Sequence, residues 1–133
     1  MKGLILGLVL VLAFGSVEAM AAARKGETIK VQINKQKRTA KTGFTVRFIE
    51  LVEDSRCPID TNCIWAGNAK IKVRVTRNGQ SHVLTLDTHG SGQYGRADGY
   101  SIKLTDLTPH PRSNIRIDRN GYVATIEVSK LSR

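Results

Sequence analysis

The sequence predicts an all-β chain: a single antiparallel β-sandwich or barrel-like domain of about seven strands, set behind an N-terminal signal peptide. Three observations carry that prediction. Beyond residue 24, apolar and polar residues alternate with a period of two, and no long stretch keeps the 3.6-residue period of a helix. Asn78-Gly79 and Asn120-Gly121 punctuate alternating runs with residues that accept positive φ, the chemistry of tight turns. The chain has 133 residues, 41% hydrophobic and 5% aromatic, which suits one core. Two domains of that size would each need more staples than two cysteines provide.

Residues 1–23 read as the export signal. Lys2 supplies a positive start, an apolar run follows over residues 3–15, and small residues around Ala19, Ala21 and Ala23 offer cleavage sites. The competing reading is a membrane anchor, but the run is shorter than the ~20 residues a spanning helix needs. Cys57 is the first cysteine, so no thiol lies near the cleavage region to carry a lipid. The working domain is therefore expected over 24–133, secreted or periplasmic and not membrane-spanning once the signal is cut.

The strands follow in order. Ile29, Val31 and Ile33 alternate with Thr28, Lys30 and Gln32. Phe44, Val46 and Phe48 alternate with Thr45 and Arg47, and that run continues to Val52. Ala69, Ile71, Val73 and Val75 alternate with Lys70, Lys72, Arg74 and Thr76; Asn78-Gly79 then turns the chain into a return strand over 81–88. Parity places His82 on the side of Leu84 and Leu86, partly buried. Residues 90–99 are rich in glycine and read as a mobile loop. Tyr100, Ile102 and Leu104 form another strand, Pro109 and Pro111 mark a connection over 108–114, and Ile115 and Ile117 a short strand. The run 122–128 closes the chain.

Charge narrows the partners. The sequence holds 21 Lys+Arg against 11 Asp+Glu, a formal net charge of +10. Only Lys2 and Glu18 lie in the signal, so 20 basic and 10 acidic residues stay with the 110-residue domain. Seven bases between Arg24 and Lys41 face Glu27 alone, and residues 61–86 contain no acid. Such a surface attracts polyanions in a salt-sensitive way. Outside the cytoplasm these are anionic lipids, acidic glycans and acidic proteins; nucleic acid is not expected. Lys70, Lys72 and Arg74 share one face of their strand and form a basic row, which widens if Lys30, Arg47 or Lys103 align beside it. The plain alternative is a solvated strand face.

The segment from Glu53 to Gly67 holds both cysteines and the single tryptophan, Trp65. In an exported chain Cys57 and Cys63 read as a disulfide. Its seven-residue loop is worth about 2–2.5 kcal/mol in the chain-entropy account. If the chain is extended here, Trp65 lies on the side of Cys63 and near the bridge. The loop tip, Ile59, Asp60 and Thr61, suits partner recognition as in constrained inhibitor loops; the alternative is a stapled connection. Glu53, Asp54, Asp60 and Asn62 supply oxygens for calcium, but without the EF-hand spacing and with Arg56 among them as a counter-ion. No metal is therefore assigned.

The string Asp54-Ser55-Arg56-Cys57-Pro58, followed by Cys63, Trp65, Ala66 and Gly67, resembles a group of small exported bacterial β-domain proteins of uncharacterised function. Leu104 to Pro111 and Tyr122 to Val128 are similar to the same group. The resemblance implies a compact exported β domain and brings no catalytic residue with it.

Catalytic motifs do not emerge. His82, His89 and His110 form no paired metal motif, there is no G-x-S-x-G elbow, and the glycine loop lacks a G-K-[ST] ending. No catalytic residue and no cofactor is assigned. The leading expectation is a non-enzymatic binding module for an anionic envelope component or acidic protein. It would act through Lys70, Lys72 and Arg74 together with the basic N-terminal segment from Arg24 to Lys41, with Arg56, Asp60 and Trp65 as further candidates. The alternatives are an interaction module working through loop 57–63, and a small hydrolase with an unrecognised site.

Overall fold

The computed structural model describes residues 26–131, so the signal expected over residues 1–23 lies outside the described residues. Eight strands form two four-stranded antiparallel sheets: β1(Glu27–Gln32), β2(Gln36–Arg38), β3(Thr45–Asp54), β4(Ala69–Arg77), β5(Gln80–Asp87), β6(Tyr94–Ala97), β7(Tyr100–Thr108) and β8(Val123–Lys130). One sheet has the order β1-β8-β7-β6, the other β2-β3-β4-β5. The all-β expectation holds, with eight strands in place of about seven.

Alternation produced this arrangement because each long strand has one wet and one dry face. Ile71, Val73 and Val75 of β4 point inward with Val46 and Phe48 of β3. They meet Ile102, Leu104, Ala124, Ile126 and Val128 of the opposite sheet in one core. The chain changes sheets just after β1. Ile33 N–H donates to the Tyr122 carbonyl at 2.9 Å on one side, and Asn34 N–H to the Phe48 carbonyl at 2.8 Å on the other. Asn34 makes the corner at φ 67°, a conformation asparagine tolerates better than most side chains.

Four local readings change. β2 is a strand whose three side chains are all exposed, so it has no apolar alternation to betray it. The segment 90–99 is not a loose loop: it forms a 3-10 turn at Gly90–Gln93 and then β6, which pairs with β7 across an Asp98-Gly99 turn. Those two residues take φ 50° and 77°, the same hairpin chemistry as Asn78-Gly79 at 52° and 77°. Ile115 and Ile117 do not form a strand; Ile115 makes only an isolated bridge to Arg112. His82 is exposed, because burial along β5 fades from Leu86 through half-buried Leu84 towards the hairpin.

β3 carries two register shifts, between Phe48 and Glu50 and between Leu51 and Glu53. Strict alternation from Arg47 would place Ile49 and Leu51 on the outer face. The bulges keep Leu51 in the core and set Glu50 and Glu53 opposite Lys72 and Lys70.

The end of the sandwich near the β4–β5 hairpin is plugged by Arg77. Its guanidinium lies over the rings of Tyr100 and Phe44, 4.8 and 5.6 Å from their centroids, and pairs with Asp98 at 2.6 Å. The other end is closed by the cysteine segment.

Candidate functional site

The cysteine segment joins β3 to β4 and is tied down from both sides. Asp54 and Arg56 face inward with side chains only 11% and 8% exposed. Arg56 Nε donates to Asp54 Oδ1 and Nη2 to Oδ2, each at 2.8 Å, a two-point fork. Nη1 donates to the Leu107 carbonyl at 2.6 Å and Nη2 also to the Pro109 carbonyl at 3.0 Å. Tyr122 O–H completes the carboxylate from β8's leading edge, donating to Oδ2 at 2.8 Å. Burial pushes the Asp54 carboxyl up, but the hydrogen bonds from Arg56 and Tyr122 and the guanidinium charge outweigh it and hold it below the usual carboxylate range. Burial and the Asp54 carboxylate push the Tyr122 phenol up to about 12. Asp54, Arg56 and Tyr122 thus clamp the segment to the opposite sheet.

Cys57 and Cys63 are bridged, with Cα atoms 6.0 Å apart. Such a bridge belongs to a protein working outside the reducing cytoplasm. Cys57 N–H donates to the Ala66 carbonyl at 3.0 Å, and Ser55 N–H to the Asn68 carbonyl at 2.7 Å. The bridged loop leans on the connection after β7. Ile59 N–H donates to the Pro111 carbonyl at 2.9 Å, and Asp60 accepts from Ser113 N–H at 3.0 Å and Ser113 O–H at 2.6 Å. Those two bonds hold the Asp60 carboxyl below its ordinary value.

These placements revise several candidates. Arg56 is an internal clamp, its guanidinium held by the chain itself. Asp60 binds the neighbouring loop. Trp65 does not lie against the disulfide along an extended strand, since residues 55–68 form no strand; it stands 81% exposed, beside Ile64 at 93%. The oxygen donors weighed for calcium do not converge: Asp54 turns to Arg56 and Tyr122, Asp60 to Ser113, and Glu53 faces Lys70.

Between the bridged loop and β7 lies a cleft of about 220 Å³, lined by Ile59, Ala66, Leu107 and Pro111 together with His89, Asp106 and His110. His110 Nε2 is 3.4 Å from Asp106 Oδ1, and both side chains are about half exposed. Asp106 is the one partner His110 shows among the described residues. Among the described residues no Ser or Thr hydroxyl is bonded to His110, and the hydroxyl-bearing residues of the lining are Thr88 and Thr105.

The basic row divides in two. Lys70 lies between Glu53 on β3 and Asp87 on β5, and Lys72 faces Glu50, its Nζ 3.9 Å from the carboxylate. Arg74 instead faces Arg47, which in turn faces Gln36 on β2; Arg38 comes two residue pairs further, opposite Thr45 and back on the same face. Cross-strand partners share a sheet face. Arg38, Arg47 and Arg74 therefore gather on the outer surface toward the β4–β5 hairpin, where the described residues place no carboxylate in the register. Lys30 and Lys103 lie on the other sheet, Lys103 opposite Glu127 with its Nζ 5.0 Å from the Tyr94 ring. Of the three possible neighbours only Arg47 joins the row. Arg38 belongs to the basic N-terminal segment, but that polar run carries no strand signal, and only its register to β3 places it beside Arg47 and Arg74.

Comparison with protein-family models, curated proteins and solved structures gives no match to this chain.

Proposed function

We propose that this is an exported, non-enzymatic binding module that holds a polyanion on the Arg38–Arg47–Arg74 surface of the β2-β3-β4-β5 sheet. One observation carries the reading: Arg47 and Arg74 sit directly opposite each other, exposed, and neither forms an ion pair among the described residues. Like charges so placed disfavour the fold, by an amount on the order of 0.2–1 kcal/mol. An anionic ligand removes that repulsion, and planar guanidinium groups offer two-point hydrogen bonds to phosphate, sulfate or carboxylate. The lysine end of the row already has its counter-charges in Glu50, Glu53 and Asp87. Export is supported by the leader-like residues 1–23, by the disulfide and by the resemblance of the cysteine segment to exported β domains.

The shared ligand chemistry is a run of closely spaced anions, as on an acidic glycan or a wall-type polymer. Titration with a sulfated glycan and, separately, with polyphosphate tests it. Binding should weaken steeply as salt rises from about 0.05 to 0.2 M, because exposed charge pairs are screened over that range. Binding that ignores salt, or no binding to either polymer, overturns the reading.

A further inference from the structure

The opposite end of the same sheet carries an exposed apolar tip that the arginine surface does not use. Ile64 and Trp65 are 93% and 81% exposed, and Ile59 on the bridged loop and Ile115 on the adjoining connection are exposed as well. The two loops are fastened to each other through Ile59 to Pro111 and Asp60 to Ser113. The disulfide and the Asp54–Arg56 fork hold the base of the first. Arg112 and Arg116 stand exposed on the second, with no ion pair among the described residues.

We propose that this tip inserts into the interfacial region of an anionic lipid bilayer. Large apolar side chains left in water on a braced loop forgo the burial that normally orders them, so an apolar environment is the partner they fit. Tryptophan suits the boundary between headgroups and acyl chains, where its ring is buried and its N–H stays wet. Arginines on the shoulder of an apolar tip match an anionic headgroup layer lying above hydrocarbon, and the formal net charge of +10 draws the whole molecule to such a surface. Because the loop is held in place before contact, docking orders little additional chain. Arg47 and Arg74 lie several residue pairs along β3 and β4 from the loop, which leaves beyond Asp54 and Ala69, so the tip stands independently of the polyanion site.

Trp65 is the only tryptophan in the chain, so its fluorescence reports this loop wherever the rest of the molecule sits. The disulfide-bonded protein is mixed with vesicles of phosphatidylcholine, or of phosphatidylcholine with phosphatidylglycerol, carrying brominated acyl chains. Expected are a blue shift and bromine quenching on the phosphatidylglycerol vesicles, with weak effects on phosphatidylcholine alone. The Ile64→Ser and Ile115→Ser pair should weaken partition at least tenfold without moving the melting temperature, and Arg47→Glu with Arg74→Glu should leave the quenching in place. Three results overturn the proposal: Trp65 unshifted on anionic vesicles, Trp65 unquenched by bromine while the protein sediments with them, or full partition of the serine pair. In the first of these cases, shielding of Trp65 by a protein partner would assign the tip to protein docking instead.

Discussion

Replacing Arg56 with alanine probes the clamp at the cysteine end. The substitution removes both bonds of the fork to Asp54 and the donors to the Leu107 and Pro109 carbonyls. Asp54 is left as a charge 11% exposed, with Tyr122 as its remaining side-chain partner. Breaking one partner out of a buried pair costs about 3–5 kcal/mol, because the survivor keeps its desolvation and loses its counter-charge. Small domains hold roughly 5–15 kcal/mol in total, so Arg56→Ala should remove a large fraction of the stability. Urea unfolding followed by far-ultraviolet circular dichroism measures it; Trp65 fluorescence would be a poor probe, since that ring is already exposed in the folded state. The double variant Asp54→Asn with Arg56→Met should lose less than the sum of the two single changes, by about 1–3 kcal/mol of coupling. A loss under about 1 kcal/mol for Arg56→Ala, or strict additivity in the double variant, would refute the argument that this pair is a buried clamp.

Further outcomes follow from the same geometry. The Asp54 carboxyl lies below its ordinary value of 3.8 in the folded protein, so its contribution is complete above that value and fades as pH falls through the folded one; Asp54→Asn should flatten the acid limb of a stability–pH curve. The Tyr122 phenol is raised from 10.0 to about 12, so its contribution is complete below 10 and is lost as pH climbs towards 12; Tyr122→Phe should flatten that alkaline limb. Gly67 sits at φ 72° with a Cβ position that would collide with the Ser55 carbonyl, whereas Gly43 at φ 73° has open space around it. Gly67→Ala should therefore cost more than the ~1–3 kcal/mol of backbone strain alone, and Gly43→Ala no more than that strain, as differential scanning calorimetry would show.

Why some of this was legible in the residues and some was not comes down to burial. β1, β3, β4, β5, β7 and β8 each pair a dry face with a wet one, and period-two alternation is the direct imprint of that division. β2 has no dry face, and β6 buries only Ala97, so neither left an imprint. The Asp98-Gly99 pair was the available signal for β6, outweighed by the glycines before it. The disulfide followed from the two cysteines in a chain whose first residues read as an export leader, but the inward turn of Arg56 depends on the Leu107 and Pro109 carbonyls, 51 and 53 residues on, which no local pattern shows. The basic row on β4 was visible as a stripe. Its division was not, because two bulges in β3 decide that Glu50 and Glu53 share its face while Arg47 faces Arg74.

The most direct test sets two charge reversals on the outer sheet face against each other. Arg47→Glu with Arg74→Glu and, separately, Lys70→Glu with Lys72→Glu change the net charge equally, and each is titrated with the same sulfated glycan at low salt. The arginine pair should lose affinity by at least tenfold while the lysine pair, whose charges already meet Glu50, Glu53 and Asp87, loses only a few-fold. Equal losses would reduce the effect to bulk charge, and a larger loss from the lysine pair would place the ligand at the wrong end of the sheet.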